Sequence, residues 1–182
     1  MDSSLRWRDK MIKTERLLIR RVEAGDWRAI QKIWLDEAGS QYAQYDNIKE
    51  LDDRSVSDRI AVWAKEAKAN DHIFFAILLD KDIIGYISLN RSEDSYEIGY
   101  CFHSKYHGKG YAKESISAVL PFLKSIGVSR VTAGTAINNI PSIRLLNSLG
   151  FKQIGTEKVS FYKDSNGNDI FFDGGVFELK LL

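Results

Sequence analysis

The stretch of the chain that points most clearly to chemistry is Tyr100 to Glu114, YCFHSKYHGKGYAKE. An apolar, strand-like run ends at Phe102, a short polar loop follows, and Gly108-Lys109-Gly110 opens a helical pattern. Backbone N–H groups at a helix N-terminus carry the positive end of the macrodipole and attract phosphate oxygens. Glycines let those groups meet a ligand with no Cβ in the way. Lys109 and Lys113 add positive charge nearby. The P-loop string G-x-x-x-x-G-K-[ST] is absent. A Rossmann fingerprint fails too, because Lys113 occupies its third glycine position and the flanking strands read as antiparallel. Taken alone, two glycines in a turn before a helix are more often structural.

Three further residues in this region invite chemistry. Histidine as a residue type can do acid–base chemistry, which draws attention to His103 and His107, but neither has a second ligand at metal spacing, so a structural role is expected for both. Cys101 has no evident His–carboxylate pair to activate it and reads as a small strand residue.

The elements that would position these groups follow from periodicity. Thr14–Val22 reads as an edge or half-buried strand. Asp26 reads as the cap of a helix whose apolar face holds Trp27, Ile30, Ile33 and Trp34. Val56, Ile60, Trp63 and Ala67 mark a second helix. From His72 the period changes, and HIFFAILLD, DIIGYISLN and SYEIGYCFH read as three strands of an antiparallel meander. Asp80-Lys81-Asp82 and the polar turn Arg91 to Asp94 link them. A helix over Gly110–Ile126 follows, which Pro121 is expected to kink or end. Then come a strand over Ser129–Ala136, a helix over Pro141–Leu149, and strands over Phe151–Tyr162 and Gly175–Leu182 joined by an Asn-Gly turn. The sum is one α+β domain, a mixed and mostly antiparallel central sheet flanked by helices.

Bulk properties narrow the function classes. The 26 Lys and Arg against 25 Asp and Glu leave a formal charge of +1, which gives no pull toward nucleic acid or an anionic membrane. The single cysteine excludes an internal disulfide framework and a cysteine-rich zinc site. No apolar run approaches the roughly 20 residues that cross a bilayer. MDSSLRWRDK is polar where a signal peptide is apolar. Residues 1–10 therefore read as a loose extension and 11–182 as the domain, with a cytoplasmic location expected. Nothing in the composition excludes an oligomer.

Glu97-Ile98-Gly99-Tyr100, the segment Tyr106 to Ala112, Asn139-Ile140-Pro141-Ser142-Ile143-Arg144 and Leu149-Gly150-Phe151 occur in that order. In this arrangement the chain resembles the GNAT superfamily of N-acetyltransferases, in particular the branch of ribosomal-protein N-terminal alanine and serine acetyltransferases. The resemblance runs from the strand at Thr14 to the last strand. The superfamily motif Gln/Arg-x-x-Gly-x-Gly/Ala matches His107-Gly108-Lys109-Gly110-Tyr111-Ala112 except for His at its first position.

The resemblance implies acetyl-CoA as co-substrate and no metal. It implies that the loop from His107 through Gly108, Lys109, Gly110 and Tyr111 to Ala112 holds the pyrophosphate. It also implies that the strand Tyr100-Cys101-Phe102 pairs with the pantetheine amides, and that Asn139 and Ser142 flank that arm. Residues 139, 142 and 146 share one helical face, expected toward the cofactor, with Leu145 and Leu149 entering the core.

Acetyl transfer by direct attack in a ternary complex needs a neutral amine. An amine of pKa about 8 to 10.4 is mostly protonated at neutral pH, so a base is required. Glu97 is the candidate, acting through water, with an exposed sheet carboxylate as its plain alternative. A backbone N–H of the Tyr100–Phe102 strand suits the developing oxyanion. Leu146 stands where many relatives place a tyrosine acid. Ser142 is the candidate partner of the leaving sulfur, or else a plain hydroxyl in a first helical turn.

Asp36, Glu37, Asp46, Glu50, Asp52 and Asp53, with Tyr42 and Tyr45, form an acidic segment expected either to attract a cationic amine or to be solvated. The expected acceptor is a protein N-terminal amine. A small amine (amino acid, polyamine or aminoglycoside) and a non-catalytic acyl-CoA-binding module are the alternatives.

Overall fold

A computed structural model describes residues 11–47, 49–66, 71–93 and 95–182. The expected N-terminal extension, Ala67 and Asp94 lie outside the described residues. The strands are β1 (Ile12–Lys13), β2 (Leu17–Arg21), β3 (His72–Leu79), β4 (Asp82–Ser92), β5 (Ser95–Phe102), β6 (Arg130–Ala136), β7 (Lys152–Lys163) and β8 (Asp169–Lys180). The helices are α1 (Trp27–Ala38), α2 (Asp53–Glu66), α3 (Tyr111–Ser125) and α4 (Ile140–Ser148). Among the described residues these eight strands share one sheet in the order β1-β2-β3-β4-β5-β6-β8-β7. Every neighbouring pair is antiparallel except β5 with β6. The expected meander is present, and the expected mixed, mostly antiparallel sheet is what forms.

Side-chain alternation feeds two cores, one on each sheet face. Along β3, Ile73, Phe75 and Ile77 enter a core with Ile116, Val119 and Leu123 of α3 and Leu146 of α4. Phe74, Ala76 and Leu78 enter the other, with Ile30, Ile33 and Trp34 of α1 and Val56 and Ile60 of α2. A strand covered on both faces reads as a continuous apolar run, and β3 does.

Three local expectations are corrected. Asp26 stands at the start of α1, but its carboxylate makes no cap bond there. It accepts instead from Arg20 Nη1 and Nη2 at 2.8 and 2.9 Å and from the Glu23 N–H at 2.8 Å. A buried carboxylate gains more from a bidentate guanidinium than from one backbone donor. Pro121 does not end α3, which runs on to Ser125. Ser117 and Pro121 both lie on the exposed side, where water can serve a carbonyl that proline leaves without its N–H. Leu146 is not on a cofactor-facing surface: it is 1% exposed, in the α3–α4 core, with Leu145 and Leu149 partly buried beside it.

Gly85 on β4 sets the fit of β5. A Cβ there would lie 2.3 Å from Cδ1 of Phe102 and 2.7 Å from the Cys101 carbonyl oxygen. The Phe102 ring thus lies directly on the β4 backbone. Gly85→Ala is expected to destabilise the fold by about 1–3 kcal/mol through overpacking, read as a lowered denaturant midpoint.

Candidate functional site

The site begins where β5 and β6 part. Their parallel pairing covers only Ser95↔Arg130, Tyr96↔Val131 and Glu97↔Thr132. Beyond it, β5 continues against β4 as far as Phe102, while Ala133–Ala136 of β6 continue against β8. The His103 N–H donates to the Ile84 carbonyl at 3.0 Å, which fixes the phase of the ladder. In an antiparallel pair the bonded residues alternate, so Gly99 and Cys101 bond toward β4. The Ile98 N–H still belongs to the β6 pairing through Thr132, and the Phe102 carbonyl is taken by His107, so the Ile98 carbonyl, both backbone groups of Tyr100 and the Phe102 N–H face the widening gap. A strand edge with N–H and C=O groups turned into a cleft can pair with an extended amide-bearing ligand.

The N-terminus of α3 closes one end of this gap. Gly108 and Gly110 both have left-handed backbone, φ 72° and 80°, and Gly110 caps the helix. Such angles strain any residue with a Cβ. A single-turn 3-10 segment over Ser104–Tyr106 precedes them. The His107 ring donates from Nε2 to the Phe102 carbonyl at 2.7 Å, tying the loop to the end of β5. His103 accepts from the Lys105 N–H at 3.3 Å and stands 3.6 Å from Asp36. Both histidine rings thus bond to the backbone in or beside this loop.

Glu114, in the first turn of α3, fastens the loop to the β1–β2 corner. Its carboxylate accepts from the Arg16 N–H at 3.0 Å, from Arg16 Nε at 2.7 Å and from the Thr14 hydroxyl. Arg16 Nη1 in turn donates to the Lys109 carbonyl at 3.0 Å, and its guanidinium lies 4.5 Å from the Tyr111 ring centroid. Burial alone would raise the Glu114 carboxyl, but the bonds from Thr14 and Arg16 outweigh it and hold the group below its ordinary value. Sequence reasoning missed both residues, whose partners are 98 positions apart.

The N-terminus of α4 forms the other wall. Asn139 caps it, its Oδ1 accepting from the Ser142 N–H at 3.2 Å, with Pro141 in the first turn. The Tyr100 hydroxyl reaches over from β5 and lies 2.8 Å from Ser142 Oγ. Burial pushes the Tyr100 phenol up. The structure therefore brings Tyr100 to Ser142 and the Asn139 cap, and the loop before Gly108–Ala112 to the Phe102 end of the same strand.

Glu97 and Cys101 lie on the other face of β5. Glu97 is exposed where β5 and β6 begin to part, and a Cβ on Gly134 of β6 would lie 3.9 Å from its Oε1. Cys101 packs toward the α1–α2 core. Burial and the neighbouring Glu37 push its thiol well above the ordinary range, which leaves it a poor nucleophile.

The acidic segment is not a bare anionic surface. Lys49 Nζ binds Glu37 Oε2 at 3.1 Å and also binds Asp46. Asp36 accepts from the Ser104 N–H and hydroxyl, both at 2.7 Å. Asp52 accepts from the Ser55 N–H, and Asp53 from Gln31. Burial raises the Glu37 carboxyl, whereas bonds to Lys49 outweigh burial and lower that of Asp46. Tyr45 packs on Phe172 of β8 at 5.2 Å, and Tyr162 of β7 donates to the Ala43 carbonyl at 2.9 Å. The β7–β8 hairpin and the 43–45 turn so form one wall on the Glu97 face. Among the described residues, no group of three or more His, Cys, Asp or Glu is placed to hold a metal ion.

The model of the GNAT acetyltransferase domain matches residues 16–152. That span takes in the parted strands, the α3 loop and α4 together.

The chain belongs to the GNAT acetyltransferase family.

It is thereby an acetyl-CoA-dependent N-acetyltransferase. The uncharacterized N-acetyltransferase YnaD of Bacillus subtilis is 32% identical over 165 residues, 88% of this chain and 94% of that protein. A ribosomal-protein-S5-alanine acetyltransferase from Vibrio fischeri superposes with a TM-score of 0.79 at 21% identity, covering 94% of this chain and 97% of that one. An acetyltransferase from Salmonella typhimurium that modifies the N-terminal serine of a 50S ribosomal subunit protein superposes with a TM-score of 0.81. Its identity is 16%, over 94% of this chain and 99% of that one.

The Glu114 brace has a testable pH signature in this GNAT domain. A carboxyl held low in the folded state adds stability above its unfolded pKa, about 4.3, and loses it as pH falls through the folded value. Glu114→Gln is expected to lower the denaturation midpoint at neutral pH, with the gap to wild type closing below about pH 4.

Proposed function

We propose that this acetyltransferase moves the acetyl group of acetyl-CoA to the α-amine of a protein N-terminus, by direct attack within a ternary complex. The observation that carries the reading is the parting of β5 from β6. It supports a cofactor cleft on the face that carries two helix N-termini, with an exposed carboxylate, Glu97, on the other face.

The residues suit acetyl-CoA. Left-handed Gly108 and Gly110 leave the backbone N–H groups at the start of α3 open to a pyrophosphate, with Arg16, Lys109 and Lys113 close in the fold or chain. The cleft-facing N–H groups of Tyr100 and Phe102 and the carbonyls of Ile98 and Tyr100 suit the pantetheine arm. Asn139 keeps its side-chain NH2 as a donor once its oxygen has capped α4. When bound, the cofactor supplies an activated thioester.

Glu97 takes the proton of the incoming amine through water, and a backbone N–H of the Tyr100–Phe102 strand donates to the carbonyl oxygen as charge develops there. Support for a protein N-terminus as acceptor comes from the two structural neighbours that modify ribosomal-protein alanine and serine termini. The Tyr45–Phe172 wall fits this reading as the acceptor side.

The test is free-thiol release from acetyl-CoA across peptides with different N-termini and a panel of small amines. Turnover confined to peptides is the expected result, and turnover confined to small amines would move the acceptor assignment. Glu97→Gln is expected to lower kcat by about 10²–10⁴-fold while acetyl-CoA still binds. Unchanged turnover in that variant would remove Glu97 from the mechanism.

A further inference from the structure

The Tyr100–Ser142 contact joins β5 to α4 across the mouth of the cleft, between residues 42 positions apart. The backbone of Ser142 is already served, since its N–H donates to Asn139 Oδ1. Its hydroxyl has one proton and two lone pairs, and its rotor is fixed only by a partner. Of two hydroxyls 2.8 Å apart, one donates. The phenol, with an ordinary pKa of about 10, is the more acidic and the better donor. Tyr100 therefore gives its proton to the bond, and Ser142 keeps its own for a further acceptor. Accepting a hydrogen bond also polarises the serine O–H and strengthens it as a donor. Burial keeps the phenol neutral, so this polarity holds throughout the neutral range.

We propose that Tyr100 is a positioning residue that aims the Ser142 hydroxyl proton at the sulfur of coenzyme A, so that the sulfur departs as a hydrogen-bonded thiolate. The inference rests on the acetyl-transfer reading above. In that reaction the amine nitrogen bonds the acetyl carbon and the carbon–sulfur bond breaks, its electron pair going to sulfur. The amine proton goes to Glu97 by way of water. Tyr100 loses no proton, since forming a buried phenolate would oppose the step. Ser142 stabilises the thiolate by a charge-assisted hydrogen bond, and Tyr100 acts only through Ser142.

The test needs no acceptor. Coenzyme A bound to the protein is titrated by the ultraviolet band of its thiolate, as a difference against the desulfo-coenzyme A complex. The proteins are wild type, Tyr100→Phe, Ser142→Ala and the double variant. Phe keeps the ring that packs beside the core, and Ala keeps the helix, so both variants retain the cleft. Wild type is expected to titrate below free coenzyme A followed in the same buffer. Each single variant is expected to raise the titration by about one pH unit, the scale of a lost hydrogen bond to a charge. The double variant is expected to move no further than Ser142→Ala alone. A Tyr100→Phe protein that titrates like wild type, or whose shift adds to that of Ser142→Ala, overturns the inference alone. Failure of wild type to bind coenzyme A overturns the acetyl-transfer reading, and this inference with it.

Discussion

One parallel pairing in an otherwise antiparallel sheet governs this molecule. β5 and β6 run side by side for three residue pairs, and each then keeps only its outer neighbour. Backbone N–H and C=O groups need partners. Where the strands part, the Ile98 carbonyl, the Tyr100 backbone groups and the Phe102 N–H lose their neighbour strand and are left to pair with something else. The contacts on the β4 side hold β5 to that course. The Phe102 ring lies on Gly85, and a Cβ on Gly99 would come within 2.6 Å of Ser88 Oγ. Both close approaches draw β5 against β4 rather than β6.

The two faces of the parted strands divide the chemistry. On the α3–α4 face stand the helix N-termini, the left-handed glycines and the Tyr100–Ser142 pair, all suited to an anionic, amide-bearing cofactor. On the α1–α2 face stand Glu97, Cys101 and the Glu37–Lys49–Asp46 group, with the β7–β8 hairpin beside them. Even and odd residues of one strand thus face different groups, a direct result of the two-residue side-chain period. The braces are remote in sequence but short in space: Glu114 to Arg16, Asp36 to Ser104, and His107 to the Phe102 carbonyl. They fix the α3 loop before any ligand is present, which spares part of the ordering cost of binding.

Most of the elements were legible in the sequence because their signals are local. The apolar run of β3, the three-and-four spacing of α2 and the glycines before α3 each announce themselves within about ten residues. What was not legible is tertiary. Spacing puts Ser142 and Leu146 on one helical face, but it does not say that this face meets the cleft at Ser142 and the core one turn later. The same gap hid the Arg16–Glu114 brace and the Tyr100–Ser142 bond, since neither leaves a periodic trace. Asp26 had the right type and place for a cap, and a bidentate guanidinium won its carboxylate. Pro121 was read by its local rule, and the rule yielded because its side of α3 is exposed.

The most direct measurement of the central claim is residue-resolved amide hydrogen exchange with and without coenzyme A. Slowed exchange is expected at Tyr100 and Phe102 and along Gly108–Ala112 when the cofactor binds, with Ile98, already bonded to Thr132, little changed. Gly99 and Cys101, already bonded toward β4, should change little. Protection confined to other elements, or an even response along β5 with no alternation, would contradict the parted strands as the cofactor site.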